Sequence, residues 1–214
     1  MTIYICGDST AASYAPERAP FTGWGQLLGE HFPDVKVVNK AMAGRSSKSF
    51  LSEGRLVEIE KEIQPGDLLL IQFTHNDYSD LVWRHTDANT SFMNNLSIFV
   101  DTARVYGATP MLLTPIPIRA WREGKLADLH GEYPVAIRRL AMLKGVPLLD
   151  VLEEGLAALR AMGEDATRSL YMNVEAGKYP AFPNGSKDDV HTQHAGAALY
   201  ARIVAEQLKA RGLV

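Results

Sequence analysis

The chain has 214 residues, 46% of them hydrophobic and 22% charged, which suits one globular domain over 1–214 with a substantial core. Its net charge is −3, with acidic and basic residues mixed and no basic run or basic–aromatic stripe. Nucleic acid is therefore not an expected partner, and a small, neutral or mildly charged one is. The single cysteine, Cys6, excludes a disulfide framework within one chain, and no apolar run approaches membrane-spanning length.

In chain order, Thr2–Cys6 is a short β-rich run ending at Gly7. It follows Met1 with no charged segment and apolar run of a leader before it, so cytoplasmic residence is expected. Helical spacing over Trp24–Phe32 precedes a second strand at Val35–Asn39. A helix at Arg55–Ile63 stops before Gln64-Pro65-Gly66, and the third strand spans Asp67–Phe73. The third helix, Thr90–Tyr106, ends at Gly107 and leads to the strand Thr109–Thr114. Tyr133–Lys144 is stopped by Gly145, the last strand is Val146–Val151, and Leu152–Met162 is stopped by Gly163. A final amphipathic helix runs over Ala195–Arg211. Several strands are solidly apolar, as strands covered on both faces are. The alternation predicts an α/β fold, a five-stranded parallel sheet of flavodoxin-like order sandwiched between helices. In such sheets ligands sit beyond the carboxyl ends of the strands. The long irregular stretches Asn76–Asn89, Pro115–Gly131 and Tyr171–His191 follow or lead into those ends, where loops carry function.

Four short motifs carry the chemistry. Gly7-Asp8-Ser9-Thr10 puts a serine just past a glycine turn at the end of the first strand; by itself it is also an ordinary strand-to-loop turn. Ala43-Gly44-Arg45-Ser46-Ser47 offers a glycine whose N–H a ligand can reach unobstructed. His75-Asn76-Asp77 follows the apolar third strand, and an asparagine amide there suits an oxyanion donor. Asp188-Asp189-Val190-His191 places carboxylates before a histidine that can deprotonate a serine. Each motif alone has a bland reading as a turn or surface loop. Together they supply a nucleophile, a base, an orienting acid and oxyanion donors, the inventory for acyl transfer.

These residues resemble the four blocks of the SGNH (GDSL) hydrolases, and more closely the rhamnogalacturonan acetylesterase-like branch. The similarity is carried by GDSTAASY, GWGQLL, NKAMAGRSSKSFLSEGR, IQPGDLLLIQFTHND, TPIPIRAW and AGKYPAFPNGSKDDVHTQHAGA, spread over almost the whole chain. The resemblance implies a serine esterase without cofactor or metal, acting on O-acetylated carbohydrate. It implies Ser9 as nucleophile and His191 as base with Asp188 as its partner. Ser9 N–H, Gly44 N–H and the Asn76 amide would be the oxyanion donors. One departure is Thr74, where the family commonly has glycine, which bears on the backbone path and the width of the pocket.

Other residues extend the expected site. Arg45 could meet a uronic acid carboxylate or make a structural ion pair. Trp83 and Trp121, in long loops, could stack on sugar faces or fill core, whereas Trp24 reads as core. His75 is expected to shape the cleft wall. Asp188 rather than Asp189 is expected to orient His191. If the segment turns into the last helix there, residues three apart share a side, and Asp189 is directed toward the helix N-terminus. Three alternatives stay open: a lipase or thioesterase on the same fold, a sugar-binding module without turnover, and a metal-dependent phosphoesterase using Asp8, Asn76, Asp77, Asp188, His191 and His194. The number of copies in the working assembly is not readable from these residues.

Overall fold

In β1 (Thr2–Gly7) the side chains alternate between two apolar layers, so both faces of this strand must be covered. The computed structural model describes all residues, 1–214, and supplies both covers. The remaining strands are β2 (Lys36–Asn39), β3 (Leu68–Gln72), β4 (Thr109–Leu113), β5 (Ala120–Arg122), β6 (Lys125–Ala127), β7 (Leu148–Leu149), β8 (Tyr171–Val174) and β9 (Ser186–Thr192). Five of them form one parallel sheet in the order β2-β1-β3-β4-β7, the flavodoxin-like order expected. The helices are α1 (Trp24–Leu27), α2 (Ser47–Ser52), α3 (Arg55–Glu60), α4 (Met93–Val105), α5 (Tyr133–Lys144), α6 (Val151–Met162), α7 (Glu164–Thr167) and α8 (His194–Ala210).

Ile3, Ile5, Leu68, Leu70, Met111 and Leu113 face a layer built from α1, α6 and α8, with Trp24, Leu156, Tyr200 and Val204 at its centre. Tyr4, Cys6, Leu69, Ile71 and Leu112 face the other layer, where α3, α4 and α5 contribute Ile59, Phe99 and Ile137. Each fully buried aliphatic side chain stabilises the fold by roughly 1.5–3 kcal/mol. Cys6 belongs to the second layer, and burial pushes its thiol pKa far up, so it is an inert packing residue. No helix is long and apolar enough to cross a membrane.

The strands fall where the apolar runs place them, with their ends trimmed. The last is cut most, to the two residues that pair with β4, Leu148 with Leu112 and Leu149 with Leu113. The helix expected over Trp24–Phe32 breaks after Leu27 into a 3₁₀ turn, Leu28–His31. The helix expected from Thr90 begins with a π turn over Ala88–Phe92 before α4 proper. α2, α7 and the two hairpins β5–β6 and β8–β9 have no counterpart in the sequence reading. α2 is opened by a capping box in which Ser46 and Ser49 bond each other's backbone N–H. β5 and β6 pair as a small hairpin inside the stretch read as loop. β8 and β9 pair as a second, antiparallel hairpin that carries Asp188 and His191.

Candidate active site

The carboxyl ends of β1, β2 and β3 lie side by side, and so do the loops that follow them. Gly7, the last residue of β1, lies against its neighbours: a Cβ there would stand 2.9 Å from Gln72 O and 3.2 Å from Ala11 Cβ. The β2 loop is laced to β1 by Lys40 N–H donating to Ile5 O and Met42 N–H to Gly7 O, both at 2.9 Å. From this edge Ser9 presents its hydroxyl, with 7% of the residue exposed. Tyr14 Oη donates to Ser9 O at 2.7 Å, holding the turn from outside.

Ser9 Oγ lies 2.9 Å from His191 Nε2, and His191 Nδ1 lies 2.7 Å from Asp188 Oδ2. A carboxylate on Nδ1 requires a proton there, which leaves Nε2 as the acceptor facing the serine. The other carboxylate oxygen, Asp188 Oδ1, accepts from Val190 N–H at 2.8 Å and His191 N–H at 3.0 Å. Burial works against the Asp188 charge, but the bonds from the His191 ring and backbone prevail and hold its pKa below the usual carboxylate value.

The expectation that Asp188 pairs with His191 holds, though by another route than the one argued from the sequence. The segment is strand, not incipient helix, and residues three apart on a regular strand face opposite ways. A register shift in β9 resolves this: Tyr171 pairs with Thr192 while Met172 pairs with Asp188, so Asp189–His191 bulge out of the ladder. The bulge, closed by the Asp188 turn onto Val190 and His191, brings the two side chains together. Asp189 does not reach the helix N-terminus either. Its Oδ1 accepts from Asn173 Nδ2 at 2.8 Å and pairs with Arg119 Nη1 at 3.3 Å. The bulged segment is stapled to the loop before α1, where Thr22 N–H donates to Thr192 O and Thr192 Oγ1 to Thr22 O. The Phe21 ring packs 4.8 Å from that of His191.

Three N–H groups in the loops at the serine's edge of the sheet have no acceptor inside the protein, the third being one hydrogen of the Asn76 amide. Neither Ser9 N–H nor Gly44 N–H is hydrogen-bonded to any protein group. Gly44 has φ +79°, a conformation that disfavours any side chain although a Cβ would meet nothing within 4 Å. Asn76 Nδ2 uses one hydrogen on Arg45 O at 3.1 Å and keeps the other. Thr74, the departure from the family pattern, is fully buried with its hydroxyl turned onto Phe73 O. Thr74 O in turn accepts the Asp77 N–H that closes the Asn76 turn.

Behind these groups runs a buried polar chain. Asp8 Oδ1 accepts from Thr10 N–H and Oγ1, and its Oδ2 lies 3.1 Å from His75 Nδ1. Burial opposes the Asp8 charge, yet His75 and Thr10 hold its pKa below the usual value. His75 Nε2 meets His130 Nε2 at 3.3 Å, and His130 Nδ1 meets Asp128 at 2.6 Å. Burial holds the His130 pKa below the usual histidine value, against the pull of Asp128. His75 is thus a buried link, 3% exposed at its side chain, and not the cleft wall expected from the sequence. Asp77 clamps the neighbouring loop, accepting from Ser47 N–H at 3.0 Å and Thr86 Oγ1 at 3.1 Å. Burial pushes its pKa up to about 7.

The remaining expected substrate residues divide. Arg45 does not reach toward the serine. Its Nε sits 3.0 Å from both oxygens of Glu53, and its Nη1 donates to Ala43 O, the structural ion pair weighed against a uronate contact. Trp121 is partly buried against the core layer, with its indole N–H donating to Thr167 Oγ1 at 3.1 Å. Trp83 is 51% exposed on the β3 loop and carries the Arg84 guanidinium over its ring at 5.4 Å. The residues of the metal alternative do not converge: Asp8 and Asp77 are bound to separate partners, and His194 is exposed at the start of α8. A cavity of about 800 Å³ lies along the β8–β9 hairpin between Arg168, Glu175 and Lys187 and includes no residue of the serine site. The serine site is instead open to water, with His191 and Asp188 28% and 30% exposed at their side chains. Arg84, His130, Asp128, Phe21 and Tyr14 were not singled out in the sequence. Only Asp128-Leu129-His130, an acid two residues before a histidine, carried a signal of the kind that marked Asp188 and His191.

Known proteins are similar to the chain over nearly its full length. The chain is 38% identical over 213 residues to the rhamnogalacturonan acetylesterase RhgT of Bacillus subtilis, covering 99% of this chain and 90% of that one. It is 35% identical to the probable rhamnogalacturonan acetylesterase YesY of the same organism, covering 99% and 94%. The crystal structure of the B. subtilis protein YxiM superposes with a TM-score of 0.84 at 28% identity over 99% of this chain, which spans 56% of that one. Residues 5–199 match the GDSL-like lipase/acylhydrolase family, and the chain belongs to that family of ester hydrolases.

Proposed function

We propose that the protein removes O-acetyl groups from carbohydrate, and from rhamnogalacturonan-type oligosaccharides in particular, through an acetyl-enzyme on Ser9. The observation that carries the reading is the pairing of a hydrogen-bonded line, Ser9 Oγ to His191 Nε2 and His191 Nδ1 to Asp188 Oδ2, with three unused N–H donors at the same edge. The substrate class rests on the names of the two B. subtilis relatives.

In the first half-reaction Ser9 Oγ attacks the acetyl carbonyl carbon while its proton passes to His191 Nε2. Asp188 stabilises the resulting imidazolium through Nδ1–H. The carbonyl oxygen becomes an oxyanion received by Ser9 N–H, Gly44 N–H and the free Nδ2 hydrogen of Asn76. These donors are held in place before the charge develops, so little reorganisation opposes it. Collapse breaks the bond to the sugar oxygen, which takes the proton from His191 and leaves as a hydroxyl. Water then attacks the acetyl-enzyme as His191 takes its proton. A second collapse releases acetate and returns the proton to Ser9.

Acetate release from acetylated rhamnogalacturonan oligosaccharides, set beside acetylated xylan oligosaccharides and p-nitrophenyl esters of increasing chain length, tests the reading. The expected order is rhamnogalacturonan fragments first and short esters far ahead of octanoyl. Rates that climb with acyl length would assign the protein to lipase or thioesterase chemistry.

A further inference from the structure

Arg84 lies in the β3 loop, beyond the His75-Asn76-Asp77 motif, and the mechanism above does not use it. Its Nη1 donates to Asn76 Oδ1 at 2.9 Å and its Nε to Ser79 Oγ at 2.9 Å. The backbone of the loop closes around it, with Arg84 N–H on Leu81 O at 3.0 Å and Thr86 N–H on Asp77 O at 2.8 Å. A guanidinium can only donate and a backbone carbonyl can only accept. Arg84 on one side and Arg45 O on the other therefore leave the Asn76 amide a single orientation, with Oδ1 toward Arg84 and Nδ2 toward Arg45 O. The second Nδ2 hydrogen is then fixed in the amide plane and free.

The two arginines beside the site differ in charge balance. Arg45 pairs with Glu53, a carboxylate it shares with Arg55, whereas no carboxylate pairs with Arg84. A cation bound to an amide oxygen draws electron density from the amide nitrogen, and its N–H becomes a stronger donor.

We propose that Arg84 is the positioning residue of the oxyanion site: it locks the Asn76 amide and polarises it toward the charge that forms on the acetyl oxygen. The inference rests on Asn76 being an oxyanion donor. It gives an uncharged loop asparagine a share in a positive field without placing a cation on the substrate itself.

The test measures kcat and KM for p-nitrophenyl acetate, which has no sugar and no carboxylate, in Asn76→Ala, Arg84→Ala, Arg84→Lys and the double variant Asn76→Ala/Arg84→Ala. Arg84 is partly exposed, and thermal melting checks that each variant is folded. Loss of one oxyanion donor lowers kcat by about 10²–10³, and a misplaced one by up to about 10². Arg84→Ala is therefore expected to lower kcat about 10- to 100-fold at nearly constant KM, with part of the loss recovered in Arg84→Lys. In the Asn76→Ala background, removing Arg84 is expected to cost almost nothing more. An unchanged kcat in Arg84→Ala, a change in KM alone, or an undiminished further loss in the double variant overturns the proposal. An unchanged kcat in Asn76→Ala defeats the oxyanion reading beneath it, and the two failures are thus told apart.

Discussion

Replacing Asp188 by asparagine separates the two tasks its carboxylate performs. One oxygen accepts from Val190 N–H and His191 N–H, and the other faces His191 Nδ1 at 2.7 Å. An amide has one acceptor oxygen for these two places. If the oxygen stays on the backbone N–H groups, the amide NH₂ faces Nδ1 and must donate to it. The imidazole then takes the tautomer with its proton on Nε2, which cannot accept from Ser9. If the amide flips, its NH₂ is pressed against two backbone donors and the turn opens. Either outcome removes the base. In a buried triad the wrong tautomer costs about 10⁴ in kcat, about 5 kcal/mol of barrier. Here water reaches the pair, with Asp188 30% exposed, and can supply part of the missing acceptor. The expected loss for Asp188→Asn is therefore about 10²–10⁴. Asp189→Asn should leave kcat within a few-fold, because its partners are Asn173 and Arg119. Initial rates on p-nitrophenyl acetate at pH 8, with melting curves for both variants, decide the matter. A larger kcat loss in Asp189→Asn would refute the tautomer argument and hand the orienting role to the neighbour.

The remaining predictions concern the other parts of the site. Ser9→Ala is expected to lower kcat by about 10⁶ without loss of folding, and a fluorophosphonate should label Ser9 alone; mass-spectrometric mapping to any other residue rejects it as nucleophile. Gly44→Ala meets no neighbour within 4 Å, so its effect must come from φ +79°, at about 1–2 kcal/mol. The loss should appear in kcat more than KM, and a variant with wild-type kcat would remove Gly44 N–H from the oxyanion site. Asp77 has its pKa raised from 3.8 to about 7 by burial, so the folded protein keeps a proton that the unfolded chain releases. Its contribution to stability is full below about pH 4 and lost as pH rises through about 7. Asp77→Asn should flatten the change in Tm between pH 4.5 and 7.5, and an unaltered slope would show that Asp77 is ionised throughout.

Legibility in the sequence followed the range of the interaction concerned. The strands were readable because runs such as Leu68–Gln72 are buried on both faces, and hydrophobicity alone reports that. α5 was readable to the residue because Gly145 ends it in a left-handed cap. The β8–β9 hairpin was not, since Ser186–Thr192 is polar and its pairing depends on a partner strand and a bulge, neither of which leaves a period-2 apolar pattern. The site divides along the same line. Ser9, Gly44 and Asn76 were singled out because their residue types fit the chemistry and follow strand ends, and Asp188 and His191 because an acid stands three residues before a histidine ahead of the last helix. Arg84 and Phe21 make contacts that no spacing encodes, whereas His130 has its partner Asp128 two residues before it. Arg45 and Trp121 stayed open between two readings, and His75 was placed at the cleft wall, because a residue type suited to ligands is equally suited to an ion pair, a buried network or a core edge.

The buried acids beside the candidate groups explain how loops from three strands hold one geometry at an open edge. Asp8 precedes Ser9 in the chain, and its carboxylate binds Thr10 in its own loop and His75 in the β3 loop. Asp77 follows Asn76, and its carboxylate binds Ser47 at the start of α2, three residues past Gly44. The first acid thus ties the serine's loop to the asparagine's, and the second ties the asparagine's loop to the glycine's. Water-exposed loops drift because their hydrogen bonds exchange with solvent, whereas these bonds are sealed: Asp8, Asp77 and Ser47 are fully buried. A displacement of about 1 Å in a catalytic group can cost about 10²-fold in rate, so rigidity here matters as much as donor identity. The short apolar strands set the loops side by side, and the two carboxylates then fix the distances that the strands alone leave loose. The motifs of Ser9 and Asn76 accordingly each hold two kinds of polar residue, one at the serine's edge and one facing inward to bind the neighbouring loop.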